Sequence, residues 1–364
     1  MGGDPMTGAG ARRRAEGDRV ETALLLLTIL AAVAFNVTSG FHDAAEISAP
    51  AVATRALRPA GALALFGIMA LAGPFLAGTA VADTMGGFVV LTDEEPATAL
   101  GIVAAGIAGA ALWNVITWRL TMPSSSTHAL VGGLVGVTAV VAGPGHVNWG
   151  FSALIDGRLE GMAKILAALL LSPVAGIAAG FLVFRMGRLL LRRATPLANR
   201  PLRRVLAGGT GLLAFAHGGN DAQKCMGVIA LALVLAGRLP SFAVPPWVIL
   251  LSAVTLVIGG LTGGWGIART LGHGIYRLEP LHAAGAQAGS AGVIYGAALL
   301  GGPVSTSQVM GSAITGAGAA ERPRGVHWDT GKTMLLVWLI TLPAGALAGL
   351  AVYLPVAAIA ALGG

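Results

Sequence analysis

Two polar segments occur twice in this chain, each beside apolar runs long enough to cross a membrane. GFHDAAEISAP begins at Gly40, and GNDAQKCMGVI repeats its arrangement from Gly219, so that Asp221 is the counterpart of Asp43. PSSSTHALVGG begins at Pro123, and PVSTSQVMGSA repeats it from Pro303. Two segments that recur in the same order, at nearly the same separation along the chain, predict an internal duplication. The fold has to bury charged side chains among apolar helices, where such residues usually mark a transport path.

Composition points to a membrane protein. Of the 364 residues, 55% are hydrophobic and 11% are charged, whereas soluble domains carry about 25% charged residues. The mean hydropathy is +0.79, and many apolar runs approach the ~20 residues of a transmembrane helix. The 55 glycines suit such helices, because small residues let them pack closely. We therefore predict an all-α polytopic membrane protein in contact with the lipid bilayer.

The net charge of +7 does not indicate a nucleic-acid partner, since the basic residues cluster in loops as the positive-inside rule expects. The single cysteine, Cys225, excludes an internal disulfide framework. It lies in an apolar stretch, which favours a packing role.

Four segments follow from the distribution of charge. Residues 1–20 are polar, which predicts a disordered N-terminal tail; we prefer a membrane helix over about 22–39 to a cleaved signal peptide, because polar FHDAAE follows. Residues 21–184 and 205–364 are assigned to a first and a second transmembrane repeat. The stretch 185–204 contains seven arginines and no acid, which predicts a cytoplasmic linker.

The predicted repeats also bear on the sides of the membrane. If they are inverted, each crosses the membrane an odd number of times, and both chain termini lie on one side. The ARRR of the tail favours the cytoplasm for that side. The Arg-rich linker is a candidate contact for a soluble cytoplasmic regulator.

The hydroxyl-rich segments predict an anion site. Each follows a proline where a helix would begin, and a helix start offers unpaired N–H groups and positive dipole character. With hydroxyl donors alongside, such a start binds phosphate-like anions. The structural alternative is N-capping and helix–helix hydrogen bonding, but two matching segments favour the anion site. The candidate residues are Ser124, Ser125, Ser126, Thr127, Ser305, Thr306, Ser307 and Asn220.

The repeated carboxylates predict cation coupling. Asp43 and Asp221 would face one another across a pseudo-twofold axis, and carboxylates beside an anion require a cation. Asn220, Asn36 and backbone carbonyls at helix breaks would complete an oxygen site for sodium, or an Asp would carry a proton. The structural alternative is an Asp that caps a broken helix. No other metal and no organic cofactor is expected, because the histidines lack the spacing of a zinc site.

Two further charged residues occupy equivalent positions in the repeats. Glu46 stands three positions after Asp43, and Lys224 stands three positions after Asp221. We expect an ion pair between the halves, with a role for Lys224 in sensing the anion as the alternative. His42 and Gln223 are accessory candidates.

Other function classes lack their signatures. The chain has no GxSxG elbow and no Walker loop. An intramembrane phosphatase or transferase would need a nucleophile–base pair, and Ser126 and His128 stand two apart, a poor relation on a helix. A channel would need a continuous polar lining, whereas the polarity here is concentrated in compact segments.

The chain resembles the inorganic phosphate transporter (PiT) family, in particular its bacterial low-affinity members. The resemblance covers nearly the whole chain and rests on GFHDAAEISAPAVATRALRP (40–59), PSSSTHALVGGLVG (123–136), FAHGGNDAQKCMGVIA (215–230), YRLEPLH (276–282) and GGPVSTSQVMGSAITGAGA (301–319). It implies symport of inorganic phosphate with sodium ions or protons by alternating access. It further implies inverted repeats whose re-entrant helical hairpins meet at a midplane site, a homodimer, and a multi-pass protein of the inner (plasma) membrane.

The sequence departs from the family pattern at four positions. His42 stands where the second repeat has Asn220, and Glu46 stands where Asn is usual. Gln308 replaces a His, and Gln287 replaces a membrane-embedded Glu. Relative to the family pattern, the chain gains an acid at Glu46 and loses one at Gln287. The identity of the coupling ion is therefore left open.

The identity of the anion is also open, because a sulfate-transporting branch of the superfamily keeps much of this pattern. Phosphate can donate a hydrogen bond to a carboxylate at neutral pH and sulfate cannot, so Asp43 and Asp221 favour phosphate.

Overall fold

The computed structural model describes residues 5–122, 124–195, 199–262 and 274–361. Pro123, the first four residues of the predicted tail and the end of the span expected near 245–268 lie outside the described residues.

The described residues form α-helices joined by short turns. Pro144–His146 and Pro323–Gly325 are single 3₁₀ turns. The α-helices are α1 (Pro5–Ala53), α2 (Pro59–Leu76), α3 (Ala80–Gly87), α4 (Pro96–Arg119), α5 (Ser126–Val141), α6 (Phe151–Ile155), α7 (Gly161–Leu190), α8 (Asn199–Leu235), α9 (Pro246–Thr262), α10 (Pro280–Leu299), α11 (Thr306–Glu321) and α12 (Trp328–Ala360).

Five of these helices, α1, α2, α4, α7 and α12, are long and apolar enough to cross a membrane. They carry many exposed leucines and isoleucines, such as Leu170 and Leu339, as expected for surfaces that face lipid. The chain is therefore an all-α, multi-pass membrane protein, which confirms the predicted fold class.

The N-terminal segment differs from the expectation. Helix α1 begins at Pro5 and continues to Ala53, so the described residues 5–20 are helical and do not form an unstructured tail. The Ala, Arg and Glu residues of this segment are good helix formers, and they extend the first membrane helix towards the N-terminus.

The Arg-rich stretch 185–204 is also not a single loop. Helix α7 extends to Leu190 and helix α8 begins at Asn199, so Arg185 and Arg188 lie in the last turns of α7. Leu and Arg both favour helix, which accounts for the extension.

Asp43 and Asp221, the signature aspartates of the two repeated motifs, both lie inside unbroken helices. Asp43 lies in α1, and Asp221 lies in α8, which joins the expected lead-in 205–217 and the span near 225–237 into one helix. The expectation of helix breaks at these motifs is therefore wrong, and so is the structural alternative in which an Asp caps a broken helix. The motif residues Ala, Gln, Lys and Met are compatible with a continuous helix.

Contacts between helices are symmetric under exchange of the two halves. Helix α1 packs against α4 and α9, as α8 packs against α10 and α2. Helix α7 packs against α10 and α11, as α12 packs against α4 and α5. The last long helix of each half thus covers the helix pair of the other half. The inverted orientation of the repeats, and their boundaries at 21–184 and 205–364, stay predictions.

The symmetry extends to single glycines. Gly40 of α1 lies against the backbone of Leu256 in α9, and Gly218 of α8 lies against the backbone of Ala70 in α2. Each glycine stands three positions before the signature aspartate of its repeat. At both glycines a Cβ atom would overlap the backbone of the neighbouring helix, so close helix approach requires glycine there.

Candidate functional site

The two hydroxyl-rich segments form the starts of two short helices. Ser125 is the N-cap of α5, and its side chain accepts a hydrogen bond from the His128 amide at 3.2 Å. Ser305 caps α11 in the same way, accepting from the Gln308 amide at 3.4 Å. Each helix has 16 residues, or about 24 Å, which is short of the ~30 Å hydrocarbon core. This length suits a helix that begins within the membrane.

The two helix starts meet. The Thr127 hydroxyl, at the start of α5, donates to the Val304 carbonyl just before α11, at 3.0 Å. The ammonium of Lys224 on α8 donates to both groups, at 2.6 Å to Thr127 Oγ1 and 2.8 Å to Val304 O. These three residues are fully or almost fully buried. One lysine therefore lies where the positive ends of two helices converge.

Lys224 forms its ion pair within α8 and not with Glu46. Its Nζ lies 2.8 Å from Asp221 Oδ2, one turn earlier on the helix, where residues three apart face each other. The ion pair expected between Lys224 and Glu46 is not formed in this structure.

Asp221 also contacts the start of the other short helix. The Thr306 hydroxyl donates to Asp221 Oδ1 at 3.3 Å. His217 Nδ1 lies 3.0 Å from Thr306 Oγ1 and 3.5 Å from Asp221 Oδ1. Asp221 is thus the centre of a network that joins α8 to the N-terminus of α11.

The two signature aspartates come together. One ligand atom each of Asp43, Asp221 and His217 lies within 4.8 Å of the others, and all three residues are buried. Asp43 Oδ2 and His217 Nε2 have no hydrogen-bond partner among the described residues. Buried carboxylate oxygens without partners fit a hard cation such as sodium, or a proton.

Glu46 extends this cluster by one helical turn. It is completely buried, and neither carboxylate oxygen has a hydrogen bond of good geometry within the described chain. The Ser307 hydroxyl and the Asp221 carboxylate lie near its carboxyl group. Ser307 is the counterpart of Thr127 in the second hydroxyl segment, so Glu46 lies beside one such segment as Lys224 lies beside the other.

Asn220 and Gln223 use their amides to fix backbone. Asn220 donates to Gly302 O at 3.0 Å and accepts from Val304 N at 3.3 Å, which fastens the loop before α11 to α8. Gln223 Oε1 accepts from Val81 N and Ala82 N in the first turn of α3. In this conformation both residues position the site, and neither amide is free for a ligand.

Asn36 and His42 lie to the side of the cluster. Asn36 donates to Ser252 O at 2.5 Å and to Thr255 Oγ1 at 2.9 Å, which ties α1 to α9. His42 Nε2 lies 2.9 Å from Asn114 O on α4. The structure gives both residues helix-packing contacts, Asn36 to α9 and His42 to α4.

The other candidate hydroxyls of the two segments differ in whether they bond to protein groups. Ser124 donates to Thr117 Oγ1 at 2.8 Å. Ser126 and Ser307 have no hydrogen bond of good geometry to another described residue, and both are almost fully buried. The Ser126 hydroxyl is available as a donor to an anion, whereas the Ser307 hydroxyl lies beside the Glu46 carboxyl group.

His217 belongs to the cluster although it is not among the candidate site residues. His217 stands one turn before Asp221, a spacing that places both on one face of a helix. Gln287 donates to Ile47 O at 3.1 Å and to Thr210 Oγ1 at 2.9 Å, which ties α10 to α1 and α8. A neutral amide can bridge a carbonyl and a hydroxyl in this way, whereas a carboxylate cannot donate.

Comparison with known proteins identifies the family. The model of the phosphate transporter family matches residues 39–202 and again residues 190–349. The chain belongs to the phosphate transporter family. The two matches fall on the two halves of this transporter, in agreement with the duplication.

Curated relatives align with most of this chain. A probable low-affinity inorganic phosphate transporter of Mycobacterium bovis is 39% identical over 332 residues, which is 91% of this chain and 77% of the relative. One of the same description from Bacillus subtilis is 36% identical over 91% of this chain and 97% of the relative. These relatives are transporters, which confirms the expectation of a transporter and not an enzyme.

A solved structure shares the fold. The structure described as "The sodium-dependent phosphate transporter" superposes with a TM-score of 0.75 at 21% identity, covering 92% of this chain and 99% of that one.

Proposed function

We propose that this transporter imports inorganic phosphate by symport with sodium ions or protons. The observation that carries the proposal is the meeting of two helix N-termini, their hydroxyls and Lys224 with the carboxylates of Asp43 and Asp221. The names of the relatives support phosphate as the substrate, and the sodium dependence of the structurally similar transporter makes sodium a candidate ion.

The anion would bind between the two helix starts. Positive helix ends and free hydroxyls favour a tetrahedral oxyanion there. Ser126 has a donor to offer, and the Lys224 ammonium adds positive charge nearby. Asp221 can accept a hydrogen bond from protonated phosphate but gains nothing from sulfate. Sulfate remains the alternative substrate.

The cation would bind at the carboxylates. Asp43 and Asp221 offer oxygens close to one another, and a bound cation would offset the anion's charge near the midplane. Asn220 is less suited to this role than the sequence indicated, because its amide oxygen accepts from Val304 N. The amide oxygen of Asn36 has no hydrogen-bond partner among the described residues, so Asn36 stays a candidate ligand.

Access to the site requires movement. The central polar residues are buried from all sides, so phosphate can enter only when helices separate. The contacts of Thr127 and Lys224 with Val304 join the two helix pairs at their tips. Alternating access would break and remake these contacts on the two sides in turn.

Two properties implied by the family resemblance belong to the proposal, namely location in the inner (plasma) membrane and a homodimeric assembly. A soluble cytoplasmic regulator is proposed on a different ground, the positive charge of the Arg-rich stretch 185–204.

Uptake of labelled phosphate into proteoliposomes tests the function. We expect uptake driven by an imposed sodium or proton gradient, and loss of that uptake in Asp221→Asn, because the substitution leaves Lys224 as an unpaired buried charge. Asp329→Asn is the matched control, since Asp329 is exposed at the start of α12.

The competing assignments have distinct outcomes in the same assay. Inhibition by excess sulfate together with gradient-driven sulfate uptake would assign the protein to sulfate transport. Folded protein that takes up neither anion under any gradient would refute the symport proposal.

A further inference from the structure

The two repeats carry opposite charges at one equivalent position. Asp43 is followed three residues later by Glu46, and Asp221 is followed three residues later by Lys224. Residues three apart lie on one helix face, so each aspartate has a charged neighbour directed to the same side. In the first repeat that neighbour is another acid, and in the second it is a base.

The second repeat neutralises its aspartate with its own lysine. An ammonium group has three donors, and those of Lys224 have three partners within 2.8 Å, namely Asp221 Oδ2, Thr127 Oγ1 and Val304 O. The side chain is completely buried. The lysine therefore has the partners of a bound cation: a carboxylate, a hydroxyl and a backbone carbonyl.

The first repeat has no such cation among the described residues. Asp43 and Glu46 are buried, and three of their four carboxylate oxygens have no hydrogen-bond partner in the part of the chain that the structure describes. No described lysine or arginine forms an ion pair with either residue, since the only buried lysine among them is used by Asp221. His217 lies close to Asp43, but even when protonated it balances only one carboxylate of this cluster, so Asp43 and Glu46 together still require a proton or another bound cation.

We infer that Lys224 takes the place of an exchangeable cation at Asp221, so that a single exchangeable cation site remains, at Asp43 and Glu46. The inference rests on the proposed symport and moves its cation site from Asp43 and Asp221 to Asp43 and Glu46. The pseudo-symmetry supports it, because Glu46 lies beside Ser307 as Lys224 lies beside Thr127. A chain with a neutral residue at 224 would have to bind one more cation at Asp221 in each transport cycle.

The number of cations moved per phosphate tests this assignment. Proteoliposomes loaded with labelled phosphate are exposed to graded sodium gradients or, separately, graded proton gradients, and the gradient at which net phosphate flux is zero gives the ratio. We expect Lys224→Gln to move one more cation per phosphate than the wild type. Lys332→Gln, at an exposed lysine, is expected to keep the wild-type ratio.

Two further variants keep the test decisive if Lys224→Gln transports poorly. Asp221→Asn/Lys224→Gln removes the buried pair as a unit, and it should recover uptake by about a hundredfold over Lys224→Gln, because the single change leaves an uncompensated charge. Glu46→Gln should weaken the apparent affinity for the driving cation by about tenfold, with a smaller change in the KM for phosphate.

The opposite results would overturn the inference. If Lys224→Gln keeps the wild-type ratio and instead raises the KM for phosphate, Lys224 is a ligand of the anion. If the double variant is no more active than Lys224→Gln, neutralisation of Asp221 is not its role. Wild-type protein without gradient-driven uptake would instead refute the symport on which the inference rests.

Discussion

At the scale of single residues, the centre of the molecule is held by polar side chains that bond to backbone of a different element. Thr127 and Lys224 both bond to Val304 O, and Asn220 bonds to the same loop through Gly302 O and Val304 N. Carbonyls and amides that have left a helix need partners in a membrane. The side chains supply them, so the loop before α11 has a defined position.

Asn220 is the residue whose loss should be most informative about this loop. In Asn220→Ala two buried backbone groups lose their partner, which should destabilise the fold by about 1–3 kcal/mol and lower phosphate uptake. Asn220→Asp should be worse than Ala, because a carboxylate oxygen would face Gly302 O. Thermal unfolding of the purified variants and uptake in proteoliposomes measure both effects. Equal stability of the Asp variant and the wild type would contradict this role.

At the scale of helices, glycines allow the two halves to interlock. Gly40 and Gly218 lie at equivalent places, each against the backbone of a helix from the other half. Membrane helices associate through close contact, which any added side-chain atom would prevent.

Gly40→Ala and Gly218→Ala should therefore have similar effects. We expect each to destabilise the protein by about 1–3 kcal/mol, as for overpacking of a core. Gly208→Ala is the matched control, because no atom lies within 4 Å of a Cβ at this position of α8, and it should be neutral or slightly stabilising. Thermal unfolding in one detergent compares the three. A clear difference between Gly40→Ala and Gly218→Ala would contradict equivalent packing.

The hydroxyl segments show how far local sequence can predict a site. Proline followed by Ser and Thr is a helix-start pattern, and both segments do begin helices, at Ser126 and Thr306. Such a pattern depends on neighbouring residues alone, so it can be read without knowledge of the tertiary structure.

The pairing of the charged residues could not be predicted from local sequence in this way. Glu46 and Lys224 were expected to pair because they occupy equivalent positions. Equivalence under a pseudo-twofold axis does not place two residues in contact unless both lie at the axis. The local relation of Lys224 to Asp221, one helical turn apart, determined the pairing. Likewise, the polar motifs suggested helix breaks, but their residues are compatible with helix, and α1 and α8 continue through both motifs.

At the scale of the whole molecule, the two arginine-rich segments, ARRR near the N-terminus and the stretch 185–204, were both expected in the cytoplasm. Counting the helices places them on opposite sides of the membrane. Helices α5 and α11 have 16 residues each, which is short for a span, so we expect each helix pair, α4–α5 and α10–α11, to return to the side it came from. If α1, α2 and α7 cross in the first half, and α8, α9 and α12 in the second, each half crosses three times. Three crossings in each half would invert the repeats and place the 185–204 stretch opposite both termini.

The termini should therefore lie outside the cytoplasm. The 185–204 stretch has seven arginines and no acid, whereas the ARRR of the first segment is followed by Glu16 and Asp18, and the larger positive excess should set the orientation. A reporter that is active only outside the cytoplasm should be active when it is fused to the C-terminus of this protein. A cysteine placed at residue 194 should react only with thiol reagents that cross the membrane. A cytoplasmic C-terminus together with a cytoplasmic residue 194 would mean that the second half crosses an even number of times, and the repeats could not be inverted.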